Sequence, residues 1–163
     1  WNEHIKYVVD NAVKLAKDYG ADVEIVELGA LLHDIAMPSE YGDREEHHIY
    51  GAEIAEELLT KLNYPKDRIE KVKKCILNHR SSRKSQRKTI EEQCVADADV
   101  IAHFDCIPSL FSLVYKEMNL SISDGAEYVK RKLERDYNKL SPRTKEKLKE
   151  RYNKIMEVLF LAK

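Results

Sequence analysis

A chain of 163 residues, 43% apolar and 35% charged, is long enough to bury the core of one domain and too apolar to be disordered. Its formal net charge of −1 excludes a whole-molecule field that would draw it to nucleic acid or to a lipid surface. No apolar run approaches the roughly 20 residues that a membrane helix needs.

Apolar spacing predicts helices in succession. The first covers about residues 2–19, with Ile5, Val8, Ala12, Leu15 and Ala16 on one stripe and Gly20 as its stop. Asp22 is a candidate N-cap for the second, about 23–35, whose run Leu28-Gly29-Ala30-Leu31-Leu32 reads as buried on most sides. A loop follows through Pro38 and Gly42. The third helix, about 46–62, carries Ala52, Ile54, Ala55, Leu58 and Leu59, and Asn63-Tyr64-Pro65 breaks it. The fourth, about 66–79, turns Ile69, Val72, Ile76 and Leu77 inward. The stretch from Arg80 to Lys88 is strongly basic, either a solvated loop or a loop that meets an anionic substrate. Thr89-Ile90-Glu91-Glu92 has the form of a capping box and opens a fifth helix to about 102. Pro108 starts a sixth toward Met118. Ser121 opens an amphipathic seventh to about 140, and Ser141-Pro142 supplies an N-cap and first-position Pro for the last.

No period-two strand, internal repeat or linker interrupts this pattern. The expectation is therefore an all-α chain of seven to eight helices, one domain over 1–163 with an amphipathic helical extension from about 121. In that extension Val129, Leu133, Tyr137 and Leu140 form one stripe, and Leu148, Tyr152, Ile155 and Leu159 another. They pack on the domain's own core or form a homodimer interface, and sequence leaves both open. Cys75, Cys94 and Cys106 are odd in number and widely spaced, which fits reduced cytoplasmic thiols better than a disulfide framework. The chain begins at Trp1 rather than Met, so the lack of a leader says little about location.

Two places pose a chemical problem. His33-Asp34 directly follows the apolar run of the second helix. A buried Asp beside a buried His is costly unless its charge is compensated, and one compensator is a cation. Near a helix end, adjacent side chains about 100° apart can both reach one ion. The second place is Ala96-Asp97-Ala98-Asp99 in the fifth helix. Its two carboxylates point to nearly opposite sides, so only one faces inward well, and the stripe of Val95, Ala98 and Ala102 favours Asp99. Each feature has a plain alternative: a hydrogen-bonded pair, a solvated Asp, a surface His4, an exposed first turn at His47-His48, or His79 as an imidazolium at a helix C-terminus.

Taken together, His4, then His33-Asp34, then Asp99 resembles the H…HD…D signature of the HD superfamily of metal-dependent phosphohydrolases. The likeness extends over most of the chain. It includes Ala30-Leu31-Leu32-His33-Asp34-Ile35, His47 four residues before Gly51-Ala52, Ile76-Leu77-Asn78-His79, and Val95-Ala96-Asp97-Ala98-Asp99. The resemblance implies His4, His33, Asp34 and Asp99 as metal ligands, with Asp34 also orienting the attacking water. It implies catalytic roles for His47 and His79: phosphate contact or general-acid duty, a second metal, or a structural role. Two imidazoles and two carboxylates suit Mn²⁺ first, with Fe, Co²⁺, Ni²⁺, Zn²⁺ or Mg²⁺ as alternatives.

Ile35-Ala36-Met37-Pro38 stands where many HD proteins carry a basic residue. Phosphate binding is therefore expected from Arg80, with Arg44 or Arg83 as alternatives, since Arg grips phosphate oxygens bidentately. The expected partner is a nucleotide or other small phosphorylated metabolite. Binding to nucleic acid through the Arg80–Lys88 loop is disfavoured, because no aromatics interleave the basic residues. A non-catalytic metal- or nucleotide-binding regulatory module is the alternative function.

Overall fold

The computed structural model describes residues 2–37, 44–80 and 86–160, without the side chains of residues 2, 3 and 44. The all-α expectation holds: eight α-helices and, among the described residues, no strand. They are α1 (Asn2–Tyr19), α2 (Val23–Leu32), α3 (His47–Lys61), α4 (Lys66–Asn78), α5 (Ile90–Asp105), α6 (Ile107–Ser112), α7 (Ile122–Lys139) and α8 (Pro142–Leu159). A 3₁₀ turn, Arg44–Glu46, leads into α3, and a π-helical turn, Leu113–Glu117, follows α6. The chain divides into two compact units, Trp1–Asp99 and Val100–Lys163. The division falls inside α5, upstream of residue 121, where sequence places the start of an extension.

In the first unit, α1 packs on α2, and α4 packs on both α2 and α3. Val8, Ala12, Ile25, Val26, Ala55, Val72 and Ile76 are fully buried between them. Helices α2 and α4 approach closely at Gly29, where an added Cβ would stand 2.8 Å from Cys75 Cβ. Asp22 caps α2 by accepting from Ile25 N–H at 3.2 Å, and Arg68 of α4 grips the same carboxylate at 3.0 and 3.1 Å. One acidic side chain thus serves a helix start and a helix pair.

Helix α2 ends at Leu32, three residues before the sequence-based boundary. Ile35 N–H bonds Leu32 C=O at 3.1 Å and Met37 N–H bonds Asp34 C=O at 2.9 Å. These tight i→i+3 bonds replace the α ladder, so His33 and Asp34 stand on a turn at the helix end. Gly51 lets α3 come against this turn, with its ideal Cβ position 3.5 Å from His33 O.

Helix α5 starts with the expected cap. Glu92 N–H donates to Thr89 Oγ1 at 3.3 Å, and the Glu92 carboxylate accepts from the Thr89 hydroxyl at 3.2 Å and Lys88 N–H at 3.3 Å. Asn78 at the end of α4 donates to the same carboxylate at 2.7 Å. Glu92 is buried, and its bonds join the end of α4 to the start of α5.

The second unit has its own core of Val100, Phe104, Leu110, Val114, Val129, Leu133, Leu140 and Leu148. Tyr137 and Tyr152 pack beside it, stacked at 3.9 Å. Both amphipathic stripes therefore pack within this unit except at Leu159, which is 41% exposed. Ser121 and Ser141 cap α7 and α8 by accepting from Asp124 N–H at 3.1 Å and Thr144 N–H at 3.4 Å. Asp136, fully buried, is met by His103 at 3.0 Å, Lys132 at 2.9 Å and Lys139 at 2.6 Å. Among the described residues no single helix is long and apolar enough to cross a membrane.

Candidate metal centre

Six side chains converge in the first unit from five places in the chain. His4 comes from α1, His33 and Asp34 from the turn after α2, His47 from the first position of α3, His79 from the C-cap of α4, and Asp99 from α5. They form two groups of potential ligands: His4, His33 and Asp99, and Asp34, His47 and His79. In the first, Asp99 Oδ1 lies 3.1 Å from His4 Nε2 and 3.8 Å from His33 Nε2. In the second, Asp34 Oδ1 lies 3.3 Å from His47 Nε2 and 3.8 Å from His79 Nε2, and the two imidazole nitrogens are 3.2 Å apart. Asp34 joins the groups, because its Oδ2 is 3.5 Å from His33 Nε2.

Backbone carbonyls fix two of the rings. His33 Nδ1 donates to Ala30 C=O at 2.7 Å, and His79 Nδ1 donates to Ile76 C=O at 2.6 Å. With the proton committed at Nδ1, a neutral ring offers a lone pair at Nε2. His79 is held neutral: burial, reinforced by the neighbouring His33, pushes its pKa down to about 4 against the pull of Asp99 and Asp34. The plain reading of His79 as a dipole-complementing imidazolium therefore does not hold. Asp34 is held ionised. Burial pushes its pKa up, but the hydrogen bond from His47 and the charge of His33 outweigh that and bring it to about 2.

These protonation states bear on whether a cation fits. The Nε2 atoms of His33 and His79 lie 3.5 to 3.8 Å from carboxylate oxygens. For the neutral His79 ring that arrangement is repulsive by itself and attractive around a positive ion. His33 Nε2 is also completely buried, without a hydrogen-bond partner among the described residues, and an orphaned buried nitrogen is costly. The donor set and its orphan therefore suit a divalent cation held by nitrogen and oxygen ligands.

The other candidate residues fall as follows. Asp97 corrects the expectation that only one α5 carboxylate faces inward. It is more buried than Asp99, at 1% exposure, and accepts from Gln93 Nε2 at 2.9 Å. A glutamine one turn earlier on α5 makes that burial tolerable. His48 is buried beside His47, with ring centroids 5.8 Å apart, but belongs to neither group. His103 lies on the same helix as Asp99 but meets Asp136 of the second unit. Arg80 is paired with Glu45, through its carboxylate at 2.7 Å and its carbonyl oxygen. Arg83 and the Arg44 side chain lie outside the described residues. Sequence reasoning missed Arg87, which donates to the carbonyls of Asn78 and His79 at 2.8 Å and of Arg80 at 3.0 Å. The capping box just after it is the signal that the basic stretch ends in ordered structure.

The all-helical fold and its His/Asp cluster agree with what comparison with known proteins finds. The family model described as "HD domain" matches residues 2–103. The chain belongs to the HD domain family, a family of metal-dependent phosphohydrolases. A crystal structure of a predicted HD superfamily hydrolase from an uncultured Thermotogales bacterium superposes with a TM-score of 0.55 at 26% identity, covering 83% of this chain and 72% of that one. An uncharacterized protein of Clostridium beijerinckii is 32% identical over 85 residues, 49% of this chain and 54% of that protein. A tRNA (cytidine(56)-2'-O)-methyltransferase of Picrophilus torridus is 32% identical over 142 residues, 78% of this chain and 39% of that protein. An uncharacterized protein of Methanocaldococcus jannaschii is 46% identical over 61 residues, 34% of this chain and 35% of that protein. The matched part thus amounts to about half or less of each curated relative.

Proposed function

We propose that this chain hydrolyses a phosphate ester or anhydride in a nucleotide or other small phosphorylated metabolite, with a divalent metal ion as cofactor. His4, His33, Asp34 and Asp99 would hold the ion, with Mn²⁺ the first candidate for a site of two imidazoles and two carboxylates. Such an ion supplies Lewis acidity toward a phosphoryl oxygen and a lowered pKa for bound water. The observation that carries the reading is the position of Asp34. One oxygen faces His33 at 3.5 Å and the other faces His47 at 3.3 Å. An ionised carboxylate so placed can accept a hydrogen bond from water and aim it at a phosphorus. His47 is only partly buried and can give a proton or hydrogen bond to the substrate's phosphate, or bind a second ion with His79. Three free cysteines fit a reducing, cytoplasmic setting.

One observation favours a second reading, a metal- or nucleotide-binding regulatory module. Arg80, the favoured phosphate ligand, is engaged by Glu45, so a substrate must displace that pair to use it. The tRNA in the Picrophilus relative's description belongs to a protein of which less than half is matched, and does not set the substrate proposed here.

Purified protein with Mn²⁺ is expected to cleave a member of a nucleotide and phosphomonoester panel. Asp34→Ala should abolish that cleavage while helical circular dichroism is retained. Equal turnover by the variant rejects the mechanism. Stoichiometric metal with no turnover across the panel favours the regulatory reading.

A further inference from the structure

His79 sits where α4 has already ended. Its backbone lies one residue beyond the last helical position, Asn78, so the helix's own ladder gives its carbonyl no partner. Arg87 supplies one. Its Nε donates to Asn78 C=O at 2.8 Å, and its Nη2 donates to His79 C=O at 2.8 Å and Arg80 C=O at 3.0 Å. The three carbonyls belong to the residue bearing the site imidazole and to its two neighbours. Burial disfavours the guanidinium charge, and Asp97, Asp99 and Glu92 of α5 counter that cost. Asn78 is tied separately to Glu92 at 2.7 Å. Arg87 is therefore a partly buried cation that grips the end of the helix presenting His79 and is favoured by the carboxylates of α5, the helix that presents Asp99.

We propose that Arg87 is a positioning residue for His79, fixing its main chain so that Nδ1 keeps its bond to Ile76 C=O and Nε2 faces Asp34 and His47. The catalytic significance rests on the proposed function; the geometric claim does not. An arginine is required because three acceptors are met by one planar fork, which a lysine ammonium on a flexible stem does not reproduce. Ordinary helix capping would change only stability. Positioning also changes the state of one particular ring.

The full-length protein labelled with ¹⁵N, free of metal and at mildly alkaline pH where imidazole is neutral, tests this by long-range ¹H–¹⁵N correlation of the histidine side chains. In the wild type His79 should show one tautomer, protonated at Nδ1. In Arg87→Ala that tautomer should give way to a mixture, while His33, held by Ala30 C=O, keeps its own and reports an intact fold. Millimolar guanidinium chloride, far below denaturing concentrations, should restore the His79 pattern, and Arg87→Lys should show the same loss as Arg87→Ala. A His79 that stays wholly Nδ1-protonated in Arg87→Ala overturns the proposal. If Arg87→Ala loses the His33 pattern as well, Arg87→Lys decides: selective loss at His79 supports the proposal, and retention overturns it. In the Mn²⁺-dependent assay kcat should fall about 10- to 100-fold, the size of effect typical for residues that orient a ligating imidazole. A wild type without hydrolysis would reject the proposed function and leave the tautomer result to decide the role of Arg87.

Discussion

Asp34 Oδ1 and His47 Nε2 lie 3.3 Å apart, although one residue stands on the turn after α2 and the other opens α3. The other oxygen of Asp34 faces His33, so a single carboxylate lies between two clusters of imidazoles. His79, held neutral, faces the same Asp34 oxygen as His47 with its Nε2 at 3.8 Å, an arrangement that a cation between them would make attractive.

The two histidines flanking Asp34 should respond differently. His33→Ala removes a fully buried nitrogen that has no hydrogen-bond partner among the described residues. It should weaken Mn²⁺ binding and abolish hydrolysis. His47→Ala removes a partly exposed ring at the cluster's edge, and turnover should fall by about 10²- to 10⁴-fold, the range for loss of a general acid or base. Isothermal titration with Mn²⁺ and steady-state kinetics on both variants check this. Unchanged Mn²⁺ affinity in His33→Ala would remove that ring from the ligand set.

Two glycines should respond differently to an added methyl group. At Gly29 an added Cβ meets Cys75 Cβ at 2.8 Å and Val95 Cγ2 at 3.1 Å. Neither atom is the end of a flexible chain, so overpacking of about 1–3 kcal/mol outweighs the helix-propensity gain of up to about 1 kcal/mol. At Gly51 the nearest atoms are Ile76 Cγ2 at 3.4 Å and His33 O at 3.5 Å, which is ordinary contact. Gly29→Ala should lower the urea midpoint and Gly51→Ala should hold or raise it. A matching fall in both would contradict the close α2–α4 approach as the cause.

Asp136 should make stability depend on pH. Burial pushes its carboxyl pKa up, but His103, Lys132 and Lys139 outweigh that and hold it far below the ordinary carboxylate range. A pKa depressed in the folded state contributes stability above the unfolded value of about 3.9, and that contribution is lost as pH falls below it. Asp136→Asn should cost roughly 3–5 kcal/mol at neutral pH, as expected for breaking a buried ion cluster. Thermal melts should show the gap from wild type narrowing as pH drops through about 4 toward the folded value. A gap that stays constant to the acid limit would mean that the carboxylate charge is not what stabilises α7.

Helix order was legible because the caps and breakers are local: Asp22, Thr89, Ser121 and Ser141 each announce a helix within four residues. What sequence could not give was set by groups distant along the chain. Helix α2 stops at Leu32 because the following main chain turns into i→i+3 bonds, and the sequence up to Ile35 is equally helical in pattern. Asp97 looked like the carboxylate to leave outside, yet Gln93 makes its burial tolerable. The basic stretch read as one solvated or substrate-facing loop, but Arg87 spends its guanidinium on the end of α4. The residues of the candidate centre were recognisable by their order and spacing. Their separation into two groups joined at Asp34 depends on ring orientation, which Ala30 C=O and Ile76 C=O fix through space.

The most direct measurement is anomalous diffraction from crystals grown with Mn²⁺. Ordered metal density is expected within coordination distance of His33 Nε2, with His4, Asp34 and Asp99 completing its protein ligands, and in Asp34→Ala crystals that peak should vanish or weaken sharply. Fully occupied Mn²⁺ elsewhere on the molecule, with no peak against His33, would contradict the account.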